Sequence, residues 1–169
     1  MQKILLIGNA GAGKTTFARQ LAEKLKLPLL HLDRIYWNGQ WEHLSREEFD
    51  TVLQQELEKP HWIIDGNFNR TLPHRLQYCD TVFYLDFPTL TCLAGITKRT
   101  LTNLGKARED MGGNCVEHFD RQKISLYRKV LTFNKQHRMH YYDLLNRAEN
   151  VDVFIFKSRR QVRAFLKKL

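Results

Sequence analysis

The sequence is poor in cysteine and has no long apolar run. Its three cysteines, Cys79, Cys92 and Cys115, are odd in number and lie far apart, without the CxxC spacing of zinc sites. This pattern argues against a disulfide framework and fits a reducing cytoplasm. The apolar runs reach only four to five residues, so we expect no membrane-spanning helix. The N-terminus shows no apolar stretch typical of a signal peptide.

Internal repeats, low-complexity tracts and linkers rich in proline, glycine or serine are also missing. We therefore expect one domain, residues 1–169, large enough for a hydrophobic core. The seven histidines show no metal-ligand spacing, since His137 and His140 share a helix face but have no third partner. The sequence predicts no zinc site.

Positive charge is concentrated in the second half of the chain, whose overall net charge is +9. Residues 98–139 carry ten Lys/Arg against four Asp/Glu, and residues 157–169 carry six Lys/Arg and no acid. Residues 1–97 carry ten against eleven. Such asymmetry indicates an anionic partner, either a phosphate-bearing small molecule or a nucleic acid.

Five short apolar segments alternate with helical patterns. The segments are almost continuously apolar, which is typical of strands covered on both faces of a parallel sheet. They are KILLI (3–7), LLHL (29–32), WIID (62–65), TVFYLD (81–86) and VDVFIF (151–156). Helices are predicted at residues 15–26, 45–58, 89–102, 121–147 and 159–168, and Ser45-Arg-Glu-Glu48 indicates a capping box at the start of the second. Because strands that alternate with helices form right-handed βαβ units, we predict an α/β fold, a three-layer sandwich around a five-stranded parallel sheet.

Residues 4–16, ILLIGNAGAGKTT, carry the strongest chemical signal. Residues 8–15 match GxxxxGK[ST], and the spacing excludes the dinucleotide fingerprint GxGxxG. Glycines let successive backbone N–H groups point into one cavity, and the helix N-terminus adds a positive dipole, so the segment is suited to bind phosphates. We expect Lys14 to reach the β- and γ-phosphates of ATP and the Thr15 hydroxyl to bind Mg²⁺. The predicted nucleotide-binding residues are Gly8, Asn9, Ala10, Gly11, Ala12, Gly13, Lys14, Thr15 and Thr16, with Arg159 of the KSRR segment near the base or ribose.

Three of the predicted strands end in an aspartate, namely Asp33, Asp65 and Asp86. The carboxyl ends of parallel strands share the sheet edge where ligands bind. Carboxylates there can support Mg²⁺ or take a proton from an acceptor hydroxyl. Helix capping or a loop hydrogen bond is the alternative for each, and it is favoured for Asp86. We predict Asp33 and Asp65 as catalytic, with Asp65 also behind Mg²⁺, directly or through water.

Arginines beside a phosphate site stabilise the charge of the transferring group. The candidates are Arg70, Arg75, Arg99, Arg108 and Arg121, with a solvated helix residue as the alternative for each. Arg99 and Arg108 flank or lie in an irregular, glycine-containing segment, and we predict both as catalytic. Residues 103–120 are predicted to form a lid-like loop that closes over the site.

Residues 34–44 are also irregular and combine aromatic side chains with Asn-Gly. We predict that residues 34–60 form the acceptor-side region, in which Tyr36 and Trp37, together with Trp41, contact the phosphate acceptor beside Asp33. Packing of these rings in an ordinary surface loop is the alternative.

The order of five segments resembles that of the P-loop nucleoside and nucleotide kinases of adenylate-kinase-like fold. The segments are the GNAGAGKTT loop, the Asp33 strand end, IIDGNFNRT, VFYLDFP and the basic lid-like segment. Asp65-Gly66 is similar to the Asp-Gly of the DGFPR motif in adenylate kinases. This similarity implies that Gly66 and Arg70 contact the substrate. Arg70 lies five residues after Asp65, whereas the arginine of the DGFPR motif lies four residues after its aspartate. Asp33 resembles the acceptor-binding aspartate of shikimate-type kinases, and the substrate motif of adenylate kinases is absent, so AMP is not implied.

Within that group, the HLDRIYW, WIIDGNFNRT and KSRRQVRAFL segments are most similar to bacterial DNA topology modulation proteins. The predicted function is transfer of the ATP γ-phosphoryl group to a small acceptor, such as a nucleoside, a nucleotide or another alcohol, with Mg²⁺ as cofactor. One alternative is a nucleic-acid-binding or polynucleotide-end-modifying protein, whose binding would weaken as salt rises. Another is an ATP-dependent switch with weak hydrolysis. The acceptor and the oligomeric state are left open.

Overall fold

The computed structural model describes residues 1–38, 42–105 and 121–169. Two sheets are present in these ranges, and their strands are β1 Lys3–Gly8, β2 Leu29–His31, β3 Trp37–Asn38, β4 Glu42–His43, β5 Trp62–Asp65, β6 Thr81–Leu85 and β7 Asp152–Phe156. The main sheet has the order β2-β5-β1-β6-β7, and every neighbouring pair in it is parallel. The predicted five-stranded parallel sheet is confirmed.

The helices lie against this sheet in two layers. They are α1 Lys14–Leu25, α2 Leu32–Tyr36, α3 Arg46–Glu58, α4 Leu72–Leu76, α5 Thr89–Asn103, α6 Arg121–Asn146 and α7 Arg159–Leu166. One core cluster joins α1, α5 and α7 to one face of the sheet, and the other joins α3, α4 and the end of α6 to the opposite face. The three-layer sandwich is confirmed.

Strand β1 shows why the apolar segments are continuous. Ile4 and Leu6 point into the first cluster, and Leu5 and Ile7 point into the second, because successive side chains of a strand face opposite sides. All four are fully buried. Since β1 is central and its neighbours run parallel, its end at Gly8 shares an edge with the end of β5 at Asp65.

Local signals fix the starts of two helices, and that of α3 was predicted. Ser45 caps α3 through a capping box, in which its hydroxyl accepts from the Glu48 backbone N–H and the Glu48 carboxylate accepts from the Ser45 backbone N–H. Such a box satisfies two backbone donors that the helix leaves open. Ser158 caps α7 in a similar way by accepting from the Gln161 backbone N–H.

The short elements were not predicted. Residues 34–44 were expected to be irregular, but α2 ends within them, and β3 pairs antiparallel with β4. Helices α2 and α4 have only five residues each, too few for a helical period to be visible in the sequence. The predicted lid-like loop lies mostly outside the described residues. None of the helices in the described ranges combines the length and the apolar character that a bilayer crossing requires.

Candidate active site

The phosphate-binding loop lies between the end of β1 and the start of α1, as its motif predicts. Its three glycines all have positive φ angles, 140° at Gly8, 80° at Gly11 and 94° at Gly13. The loop also rests directly on α5: a Cβ added to Gly11 would overlap the Cys92 carbonyl oxygen, and a Cβ on Gly95 would overlap the Gly11 carbonyl oxygen. Glycine on both sides of the contact therefore lets backbone meet backbone.

Lys14 lies over the mouth of this loop. Its ammonium donates to the carbonyl oxygens of Gly8 at 2.8 Å and Asn9 at 3.1 Å. Burial lowers the pKa of Lys14, the charges of Asp65 and Asp33 act to raise it, and Arg99 acts to lower it. The structure thus brings three other predicted catalytic residues, Asp33, Asp65 and Arg99, within electrostatic range of Lys14.

The carboxylate of Asp65 is the centre of this cluster. Its Oδ2 accepts a 2.7 Å hydrogen bond from the Thr15 hydroxyl and lies 3.1 Å from His31 Nδ1. Its Oδ1 is buried and has no hydrogen-bond partner among the described residues. A buried carboxylate oxygen without a donor, beside a hydroxyl, suits a hard cation such as Mg²⁺. Thr15 and Asp65 are therefore the residues that fit the predicted Mg²⁺ site.

Two residues that hold this cluster were not predicted from the sequence. His31 is paired with Asp65 across the parallel strands β2 and β5, which places its ring beside the carboxylate. Asn67 Oδ1 accepts from the Gly8 backbone N–H at 3.0 Å. Both contacts depend on strand order, because the partners are 34 and 59 residues apart in the chain. A sequence pattern with no knowledge of that order could not have indicated them.

Arg75 supports the loop that follows β5 instead of facing a phosphate. Its guanidinium is fully buried and donates to the carbonyl oxygens of Gly66 at 3.0 Å, Phe68 at 3.2 Å and Asn67. Burial lowers the pKa of Arg75 to about 10. Gly66, predicted to contact the substrate, is thus held from two sides, since its N–H also donates to the Leu6 carbonyl at 3.3 Å.

The other arginines are placed differently. Arg70 forms a bidentate ion pair with Asp50 of α3, at 2.6 and 2.8 Å, and both side chains are about half exposed. Arg70 therefore forms its ion pair with Asp50 on the protein surface. Arg159 is exposed at the start of α7. Its charge acts on Cys92 of α5: burial raises the pKa of the Cys92 thiol, the charges of Lys14 and Arg159 oppose this effect, and the resulting pKa is about 11. Arg159 therefore lies on the α5 side of the phosphate loop.

The predicted acceptor-side aromatics form a packed cluster. The Tyr36 ring stacks on His43 with 5.0 Å between centroids and meets the edges of Trp37 at 5.0 Å and Phe68 at 5.3 Å. This cluster supports the loop after β5 through Phe68. The predicted site residue Arg108 and the ring of Trp41 lie outside the described residues.

Asp86 has the structural role that its sequence context favoured. Its buried carboxylate accepts from Arg138 at 2.7 Å and from the Tyr142 hydroxyl at 2.9 Å. These contacts fasten α6 to the end of β6. Among the described residues no cluster of histidine, cysteine and carboxylate side chains could hold a transition metal.

Comparison with known proteins agrees with this geometry. Residues 4–65, from β1 to Asp65, match the model of the ATPase family associated with various cellular activities (AAA). The chain is 30% identical over 166 residues to the shikimate kinase of Enterococcus faecalis, which covers 88% of this chain and 92% of that protein. The chain belongs to the family of P-loop kinases that includes shikimate kinase. It is an ATP-dependent phosphotransferase, as its phosphate loop predicted.

Solved structures of kinases in this family share the fold. A shikimate kinase from Acinetobacter baumannii in complex with shikimate superposes with a TM-score of 0.62 at 20% identity, over 99% of this chain and 90% of that one. The shikimate kinase from Bacteroides thetaiotaomicron gives 0.58 at 19% identity, over 98% and 94%. The predicted membership of the P-loop kinases is confirmed, whereas the narrower resemblance to DNA topology modulation proteins stays a prediction.

Proposed function

We propose that this P-loop kinase binds ATP at residues 8–16 and transfers the γ-phosphoryl group to a hydroxyl of a small acceptor. The observation that carries the proposal is the 2.7 Å hydrogen bond between Thr15 and Asp65, made beside Lys14 at the mouth of a glycine loop. A hydroxyl, a carboxylate and an ammonium thus lie close together where two parallel strands end. Such a group can position a phosphate chain and neutralise its charge.

Each residue has a defined part in this proposal. Lys14 and the loop N–H groups hold the β- and γ-phosphates, and Thr15 with Asp65 holds Mg²⁺, which neutralises phosphate charge when it is bound. Asp33 orients the acceptor hydroxyl and takes its proton as the new O–P bond forms and the bond to ADP breaks. Arg99 and Arg108 stabilise the charge on the transferring group. We also expect the protein to act in the cytoplasm.

A labelled-ATP transfer assay tests the proposal. Lys14→Ala should abolish transfer and weaken ATP·Mg²⁺ binding, measured by calorimetry. Lys24→Ala is the matched control, because Lys24 is an exposed lysine on the same helix, and it should behave as wild type. Shikimate is among the first acceptors to test, since it is the substrate that the relatives' names give. Wild-type ATP binding by Lys14→Ala would refute the proposal.

The basic α7 supports a second candidate function. Arg159, Arg160 and Arg163 are exposed on this helix, and Lys167 and Lys168 are exposed just after it. A surface of this charge would bind the phosphates of a nucleic acid in a strongly salt-dependent way. DNA binding that falls steeply between 50 and 200 mM salt, on the order of 1,000-fold, without any transfer to a small acceptor would favour this candidate over the kinase.

A further inference from the structure

We infer that the phosphate acceptor of this kinase is an uncharged, hydroxylated ring compound that binds in a cavity between the phosphate loop and α6. The inference rests on the proposed function and specifies its acceptor. The ring occupies the cavity, and its reacting hydroxyl extends past Asn9 toward Lys14, whose ammonium contacts the Asn9 carbonyl and is acted on by the charge of Asp33. The cavity has a volume of about 330 Å³, at the lower end of the roughly 300–1,000 Å³ of small-molecule sites. Its walls are the phosphate loop at Asn9 and Ala10, the loop at residues 67–69, and one face of α6 between residues 126 and 137.

The first wall places the cavity beside the phosphates. Asn9 and Ala10 directly follow Gly8 in the phosphate loop. The buried Asn9 amide donates to the Val130 carbonyl of α6 at 3.0 Å, so the loop and the helix are fixed to each other. A ring in this cavity therefore lies next to the loop that holds the transferring group.

The second wall presents a defined hydrogen-bond donor. Asn67 Oδ1 is occupied by the Gly8 N–H, so the amide group that Asn67 can offer a ligand is its Nδ2. The guanidinium of Arg75 holds the carbonyls of residues 66–68 in place. The Asn67 donor is thus preorganised by contacts on both sides of its own residue.

The third wall carries a hydrogen-bonded chain that orients His137. The Tyr141 hydroxyl donates to Asn69 Oδ1, and Asn69 Nδ2 lies 3.2 Å from His137 Nδ1. This arrangement suits donation from Asn69 Nδ2 to His137 Nδ1, which requires the tautomer with the ring proton on Nε2. His137 therefore offers a second oriented donor to the cavity that it lines.

The walls that the structure describes offer little positive charge to an acidic ligand. The polar groups named above are neutral amides and an imidazole. Lys129 is the one lysine or arginine among the described lining residues, and it is solvent-exposed. Arg70 is paired with Asp50, and the two terminal nitrogens of Arg75 donate to the carbonyls of residues 66–68; neither arginine lines the cavity. A carboxylate, which proteins bind best with an arginine fork, would enter this cavity without a buried counter-ion from the described walls.

The apolar part of the cavity suits a ring. Phe68 and Phe133 contribute aromatic surface, and Leu126 and Val130 contribute aliphatic surface. Two oriented donors beside apolar walls suit hydroxyl or carbonyl groups on a compact, uncharged ring, as in a nucleoside or a cyclitol.

The charge of the acceptor is tested with a matched pair. Shikimate and its methyl ester carry the same hydroxyls and differ in the carboxylate, and adenosine, thymidine and myo-inositol extend the neutral set. We expect at least one neutral compound to be phosphorylated with a kcat/KM tenfold or more above that for shikimate. A tenfold preference for shikimate over its methyl ester, or transfer to no neutral compound by an enzyme that binds ATP through Lys14, would overturn the inference and leave the proposed function standing. Failure to bind ATP would overturn both.

The role of His137 is tested on the best neutral compound. His137→Ala should raise its KM about 3- to 10-fold, the loss expected for one hydrogen bond, with kcat and ATP affinity unchanged. His137→Gln retains a donor and should recover part of the loss. His140→Ala is the matched control, because His140 is an exposed histidine of the same helix outside the cavity. Urea denaturation checks that the variants fold, and a KM for both His137 variants equal to that of wild type would refute the assigned site.

Discussion

The contact between the phosphate loop and α5 can be tested by a single methyl group. Gly95 lies inside α5, and a Cβ placed on it would overlap the Gly11 carbonyl oxygen and lie 2.9 Å from the carbonyl carbon and 3.1 Å from Cα. Optimal separations between such carbon atoms are about 3.5–4.0 Å. Gly95→Ala therefore requires the loop and the helix to move apart by roughly 1 Å.

Two opposing terms determine the effect of Gly95→Ala on stability. Alanine in a helix interior is favoured over glycine by about 1 kcal/mol, whereas overpacking of a closely fitted contact costs about 1–3 kcal/mol. We expect a net loss of up to about 2 kcal/mol in the free energy of unfolding, which leaves the protein folded at 25 °C. The effect on function should be larger, because a misplacement of about 1 Å at a reacting group can lower the rate by about 100-fold.

Urea denaturation and steady-state phosphotransfer together measure both effects. Gly95→Ala should lose about 100-fold in kcat/KM and bind ATP·Mg²⁺ more weakly. Lys98→Ala, an exposed substitution on the same helix, should change stability by no more than about 0.5 kcal/mol. If Gly95→Ala is instead more stable than wild type and fully active, the contact between Gly11 and Gly95 does not determine the position of the phosphate loop.

Three further substitutions or modifications test the supporting structure. Arg75→Met leaves three carbonyls of one loop without their donor and should lower the free energy of unfolding by about 3 kcal/mol in urea titrations; an unchanged midpoint would contradict this. Arg70→Ala removes an exposed pair with Asp50 and should cost less than about 1 kcal/mol, with acceptor KM unchanged; a tenfold rise in KM would instead place Arg70 at the acceptor. Burial raises the pKa of Cys79 to about 12 and of Cys92 to about 11 from 9.0. In the folded protein at pH 8, iodoacetamide should therefore modify them about 1,000-fold and 100-fold more slowly than an ordinary thiol, as peptide mapping can measure.

The sequence predicted the features that depend on short-range pattern. Apolar segments such as KILLI and VDVFIF indicated buried parallel strands, and their ends fell within one or two residues of the predictions. The phosphate loop was found because GxxxxGK[ST] is local, and the cap of α3 was found because a capping box spans only four residues. Asp65 was indicated by its place at the end of a strand.

The sequence could not indicate features that depend on which strands are neighbours. His31 reaches Asp65 because β2 lies next to β5, and Asn67 reaches Gly8 because β5 lies next to β1. Arg75 was a candidate among the arginines predicted to neutralise phosphate, yet it is buried and donates to three carbonyls, which gives it a structural role. A sequence shows which residues are charged, but it does not show which group each charged side chain contacts in the folded protein.

The phosphate loop itself shows how a shared motif is connected to a particular acceptor site. The fixed positions of GxxxxGK[ST], including Gly13, Lys14 and Thr15, supply the backbone turn, the ammonium and the hydroxyl that ATP requires. Asn9 stands at a position that the motif leaves free, and its amide fastens the loop to Val130 of α6, a residue that lines the cavity. Because the motif does not fix the side chain at this position, the Asn9 amide can align the loop with the proposed acceptor wall while its backbone remains part of the phosphate loop. The positions that the motif leaves free can therefore connect the phosphate site to the proposed acceptor cavity.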